Sequence, residues 1–94
     1  MDIDVSQGSD KNTFSVTLTD AGSHSTSTST YRVTVPEVLY KKLTGEKISK
    51  EDCVKASFRF LLDREPKESI LSSFGLEVIS RYFPEYEEKF SDYV

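Results

Sequence analysis

Side chains able to ligate a soft metal or act as strong nucleophiles are scarce in this chain of 94 residues: one histidine, His24, and one cysteine, Cys53. His24 stands in the polar stretch DAGSHSTSTS, far in sequence from Cys53, and no C-x-x-C or H-E-x-x-H spacing exists to complete a zinc site. Cys53 falls on the apolar side of a helical pattern, where a free thiol packs as a small hydrophobe. Catalysis would need a nucleophile beside a base, or a pair of buried carboxylates, and neither stands out. The expectation is a protein that is not an enzyme, with no catalytic residue, cofactor or metal.

Binding is better served than catalysis. The DREP corner, Asp63 to Pro66, places Arg64 and Glu65 near the apolar arc of a helix rather than on its polar stripe. Buried charges of that kind must be paired, so Arg64 is expected to hold helix-end carbonyls or a carboxylate such as Glu68, or else to serve a ligand. The YFPEY run sets Tyr82 and Tyr86 around a proline beside an acidic tail, and exposed aromatic side chains anchor interfaces. Tyr82, Tyr86, Arg64 and Glu65 are therefore the candidate partner-binding residues. A second constellation lies in TYRVTVPEVLYKKLTG and the helix after it. The order strand, proline, short helix, glycine loop and long helix resembles the ribbon-helix-helix unit of small DNA-binding repressors, in which strands of two protomers pair and enter the major groove. Thr30, Arg32 and Thr34 would then read the bases. The test between the two is whether strand 30–35 pairs within its own chain or across a dimer.

These residues need a frame. TFSVTLTD from Thr13 alternates strictly, with Phe14, Val16 and Leu18 on one face. TYRVTVP alternates again, with Tyr31, Val33 and Val35 inward. The two strands predict an antiparallel hairpin joined by an exposed connection from Asp20 to Ser29. Residues 1–12 read as a flexible N-terminal arm, and 13–94 as a single domain. Pro36 starts a short helix that buries Val38, Leu39 and Leu43 and is closed by Gly45. Ser49 with Asp52 has capping-box spacing and opens the long helix SKEDCVKASFRFLLDRE, which ends at Glu65 before Pro66. At about 100° per residue its Cys53, Val54, Ser57, Phe58, Phe60, Leu61 and Leu62 cover half the circumference, so it must be covered on two sides. After Pro66 a short helix is expected to bury Ile70, Leu71 and Phe74 and to close at Gly75. A second follows, with Leu76, Val78, Ile79, Tyr82 and Phe83, and the acidic end from Pro84 forms a last helical turn or a frayed tail.

The fold class that results is α+β: an antiparallel β-hairpin packed against a central long helix and several short helices. With a net charge of −4, a polyanion or an anionic membrane surface gains nothing from the chain as a whole. No apolar run approaches the roughly 20 residues of a membrane span, and one cysteine permits no internal disulfide. The N-terminal stretch MDIDVSQGSDKN lacks the basic and apolar regions of a signal peptide, which points to the cytoplasm.

The stretch Ala56 to Phe90, ASFRFLLDREPKESILSSFGLEVISRYFPEYEEKF, resembles a recurring family of small, uncharacterised prokaryotic proteins. The family pattern is Ser-Phe-x-Phe-Leu-Leu-x-x-Glu-Pro, then Ser-Ile-Leu, then Ile-x-x-Tyr-Phe-Pro-Glu-Tyr. VTVPEVLYKKLTG is similar to it as well, so the resemblance runs from about Phe14 onward. It implies a prokaryotic cytoplasmic protein and transfers no catalytic residue. Gly75 departs from it, standing where an acidic N-cap is expected before Leu76. The leading expectation is a small non-enzymatic protein-interaction module, a monomer or weak dimer with a protein partner. A DNA-binding regulator is the alternative.

Overall fold

The computed structural model describes residues 2–21 and 26–94. His24 and its place in a metal set lie outside the described residues. Four strands, β1 (Asp2–Gln7), β2 (Thr13–Ala21), β3 (Thr26–Thr34) and β4 (Ser73–Gly75), form one sheet in the order β1-β2-β3-β4. The first three are antiparallel neighbours, and β4 runs parallel to β3. A parallel return requires a long crossover, supplied here by the helices α1 (Glu37–Thr44) and α2 (Lys50–Leu62). Two further helices, α3 (Leu76–Tyr82) and α4 (Tyr86–Lys89), and a 3₁₀ turn over Phe90–Tyr93 complete the α+β architecture.

The hairpin β2–β3 has the expected inward faces: Phe14, Val16 and Leu18 meet Tyr31 and Val33 in the core. Residues 2–7, read as an arm, instead pair with β2 from Asp2 opposite Thr19 to Gln7 opposite Phe14. Ile3 and Val5 alternate with Asp2 and Asp4 and lay their side chains against the core, which is enough for an outer strand. The Gly8–Asn12 connection is tied by the Gly8 amide on the Thr13 carbonyl at 2.7 Å and by Asp10, which accepts from the Asn12 amide at 2.9 Å. The Ser/Thr stretch expected as a connection belongs in part to β3, since Ser27, Thr28 and Ser29 pair with Asp20, Thr19 and Leu18. Backbone pairing to β2 and the β-branched threonines hold this segment without apolar side chains.

Ser49 caps α2 by accepting the Asp52 amide at 3.1 Å, and the regular helix ends at Leu62, with turns carrying the chain to Pro66. Its wide apolar arc is covered on both sides. Phe58 meets the sheet layer through Tyr31 and Phe74, at ring separations of 5.5 and 6.0 Å. Phe60 faces the C-terminal layer, with Tyr86 at 5.1 Å, Tyr93 at 5.6 Å and Phe83 at 5.9 Å. The acidic C-terminus is accordingly helical and packed, Tyr86 and Phe90 being buried.

Two expectations about short helices fail. In α1 the buried residue is Tyr40, with Leu39 and Leu43 half-buried, while Val38 is 81% exposed. Val38 lies about 200° around the helix from Tyr40, and the larger aromatic side chain takes the inward face. Gly45 closes α1 with φ of 61°, as its C-cap role requires. After Pro66 there is only a 3₁₀ turn, Lys67–Ser69, followed by β4. The short apolar pattern Ile70, Leu71, Phe74 fits a helix, but Ile70 and Phe74 also fit a period of two, with Leu71 outward. Pairing with β3, including the Arg32 amide on the Ser72 carbonyl at 2.8 Å, stabilises the second arrangement.

Candidate functional site

Among the described residues, the chain's one thiol is committed to packing. Cys53 is fully buried in α2, and burial pushes its thiol up to about 12. Ser57, one turn on, donates to the Cys53 carbonyl at 2.8 Å, so the Tyr86 hydroxyl 2.6 Å away must donate to Ser57 Oγ. Burial raises the Tyr86 phenol far above its ordinary value. Tyr86 is thus a core residue with no exposed surface, and its reading as a partner-binding side chain is corrected. Among the described residues no cluster of His, Cys, Asp and Glu could hold a metal ion.

Arg64 takes the structural role foreseen for it: it donates to the Phe60 carbonyl near the end of α2 at 3.4 Å, and only its carboxylate partner differs from the one expected. Its guanidinium lies 3.7 Å above the centre of the Phe60 ring and donates to Tyr93 Oη at 3.1 Å. The carboxylate beside it is Glu85 at 3.5 Å, not Glu68. Tyr93 in turn donates to Asp63 at 2.7 Å, so the DREP corner clasps the C-terminal turn onto the end of α2. Thr30, Arg32 and Thr34 are all exposed. However, β3 pairs within the chain on both edges at Arg32–Thr34, leaving no edge there for a ribbon shared by two protomers. Alternation places Asp2 and Asp4 on the same outer sheet face as Arg32, which lowers its attraction for phosphate.

The two remaining candidates, Tyr82 and Glu65, do come together. They border a groove of about 370 Å³ between the end of α2, the segment from Ser69 to Phe74, and α3. Leu61, Ile70, Phe74 and Ile79 supply its apolar floor, and Leu71 and Tyr82 stand on its rim, 52% and 70% exposed. Sequence reasoning placed Leu71 in the core; the alternate period of Ile70 and Phe74 is the signal that would have put it outside. At Glu65 the groove joins a hollow of about 290 Å³ lined by Asp20, Leu62, Glu65, Pro66, Lys67 and Glu68. Lys67 is nearly buried, its ammonium donating to Ser27 Oγ at 2.9 Å and its carbonyl accepting from Tyr31 Oη at 2.9 Å. Asp20, Glu65 and Glu68 form no ion pair with the described residues. Apolar floor and acidic mouth are thus adjacent.

Comparison of the chain with protein-family models, curated proteins and solved structures returns no match.

Proposed function

We propose that this domain is a small non-enzymatic protein-binding module, and that the groove beside Leu71 and Tyr82 receives an apolar side chain of its partner. The observation that carries the reading is the exposure of those two side chains on the rim of an apolar hollow, in a domain whose other aromatic rings are largely spent on the core. Asp20, Glu65 and Glu68 beside it favour a partner with a lysine or arginine next to the apolar anchor. A free cysteine suits a reducing compartment, and the resemblance to small prokaryotic proteins supports a cytoplasmic setting.

The experiment compares proteins captured from the native cell by the parent chain with those captured by Leu71→Asp and Tyr82→Ser. Both positions are exposed, so thermal unfolding should be little changed in either variant. A partner retained by the parent and lost from both variants supports the reading. Equal capture by all three overturns it.

A further inference from the structure

We infer that the partner segment binds as a fifth strand along the open edge of β3, an inference that rests on the groove reading and specifies how the groove is filled. β4 covers β3 only at Arg32, Val33 and Thr34. From Thr26 to Tyr31 the ladder of β3 runs to β2 alone among the described residues. Main-chain groups alternate sides along a strand, and the Arg32 amide points to the β4 side, where it meets the Ser72 carbonyl. Thr28 and Thr30 share that phase, so their N–H and C=O groups face outward past the end of β4. Both residues are exposed, and no backbone hydrogen bond among the described residues reaches them from that side.

An exposed edge of this kind is a template for another strand. The opposite edge of the sheet, β1, carries Asp2 and Asp4, whereas the open stretch of β3 is Thr and Ser without charge or proline. The edge also adjoins the groove. Ser72 ends the open stretch, and Leu71, the residue before it, stands on the groove rim. On the inner face, Ser27 holds Lys67, which lines the acidic hollow with Glu65 and Glu68. A strand laid beside Thr26–Thr30 therefore turns every second side chain toward these two hollows, so that main-chain bonds supply affinity and alternate side chains supply selectivity. The ligand is an extended segment of a partner protein, with apolar and basic side chains on one face.

The probe is the peptide Ac-Lys-Thr-Leu-Thr-Val-Thr-NH2, titrated into the ¹⁵N-labelled full chain. Two further copies are N-methylated, one on its leucine and valine, the other on its threonines. Strand addition predicts downfield shifts of the Thr28 and Thr30 amide protons, and loss of binding for one methylated copy but not the other, because only alternate amides face β3. Thr28→Pro removes one outward donor without touching the β2 ladder and should weaken binding by about tenfold. Should that variant misfold, the methylated peptides still decide, because they leave the protein intact. Absence of binding by the parent peptide at millimolar concentration, or equal binding by both methylated copies, overturns strand addition. In either case the groove reading still stands or falls by the Leu71→Asp capture experiment. Concentration-dependent dimerisation that shifts Thr28 without peptide would assign the edge to a second copy and overturn the partner segment.

Discussion

Ser57 and Tyr86, 29 positions apart in sequence, meet through their hydroxyl oxygens at 2.6 Å in a site with no solvent exposure. The contact joins the middle of α2 to the first residue of α4. Because Ser57 passes its proton to the Cys53 carbonyl, the two side chains are unequal: Tyr86 depends on Ser57, but Ser57 keeps a partner without Tyr86.

That inequality predicts a stability order. Tyr86→Phe should cost about 1 kcal/mol, because only the shared hydrogen bond is lost. Ser57→Ala should cost more, about 1–3 kcal/mol, because it leaves a buried phenol unsatisfied. The double variant should be less than additive. Urea unfolding midpoints at constant m-value measure all three, and an additive double variant would show that the hydroxyls act independently.

Arg64 over Phe60 predicts a failure of conservative replacement. Arg64→Lys keeps the charge but loses the planar group that stacks on the ring and reaches Tyr93, at a cost of about 1 kcal/mol. The loss should be felt first in the C-terminal turn. Hydrogen exchange of the amides from Phe90 to Tyr93 should accelerate relative to those of β2, and uniform acceleration would contradict a local clasp.

Three carboxylates set the acid limb of stability. Asp10 is held below its ordinary value chiefly by the Asn12 amide, Glu37 by a hydrogen bond from Lys50, and Glu87 by one from Lys42. The unfolded chain binds protons at these groups more readily than the folded one. Their contribution is therefore complete above the ordinary values of 3.8 for Asp10 and 4.5 for Glu37 and Glu87, and is lost as pH falls through the lowered ones. Urea midpoints measured down through this range should fall, and Glu37→Gln should make the fall shallower. An unchanged slope would remove the Glu37–Lys50 pair from the account.

Cys53 should react only when the chain opens. With the thiol held up to about 12 against an ordinary 9.0, a disulfide reagent at pH 8 meets almost no thiolate in the folded state. The labelling rate should track the unfolded population through a urea titration, and rapid labelling in native buffer would contradict the burial. Since the unfolded thiol ionises first, this group also lowers stability as pH rises from 9.0 towards 12.

The long helix shows how much was legible beforehand. Ser49 and Asp52 mark its start, Pro66 bounds its end, and the half-circumference arc through Val54, Phe58 and Leu61 calls for cover on both sides. These are properties of neighbours at fixed spacing, and the backbone geometry of a helix converts them directly into position. The same holds for Phe14, Val16 and Leu18 in β2, where alternation alone selects the inward face. Arg64 was legible as a paired group because a charge next to an apolar arc has few alternatives; Glu85 as its partner was not.

Short segments were decided by what lies beside them. Asp2–Gln7 and Ser73–Gly75 have too few apolar residues to specify a strand, and each becomes one through hydrogen bonds to a strand distant in sequence. That pairing turns Leu71 outward and, among the described residues, leaves Thr28 and Thr30 with no strand on the side of β3 away from β2, while the packing of α4 on Phe60 withdraws Tyr86 from the surface. The sequence by itself determined the α+β class, the central helix and the inward face of the hairpin, because periodicity is a local property. The groove, the open edge of β3 and the loss of Tyr86 as a surface residue were decided only by tertiary structure, because exposure depends on which distant segment occupies the space alongside.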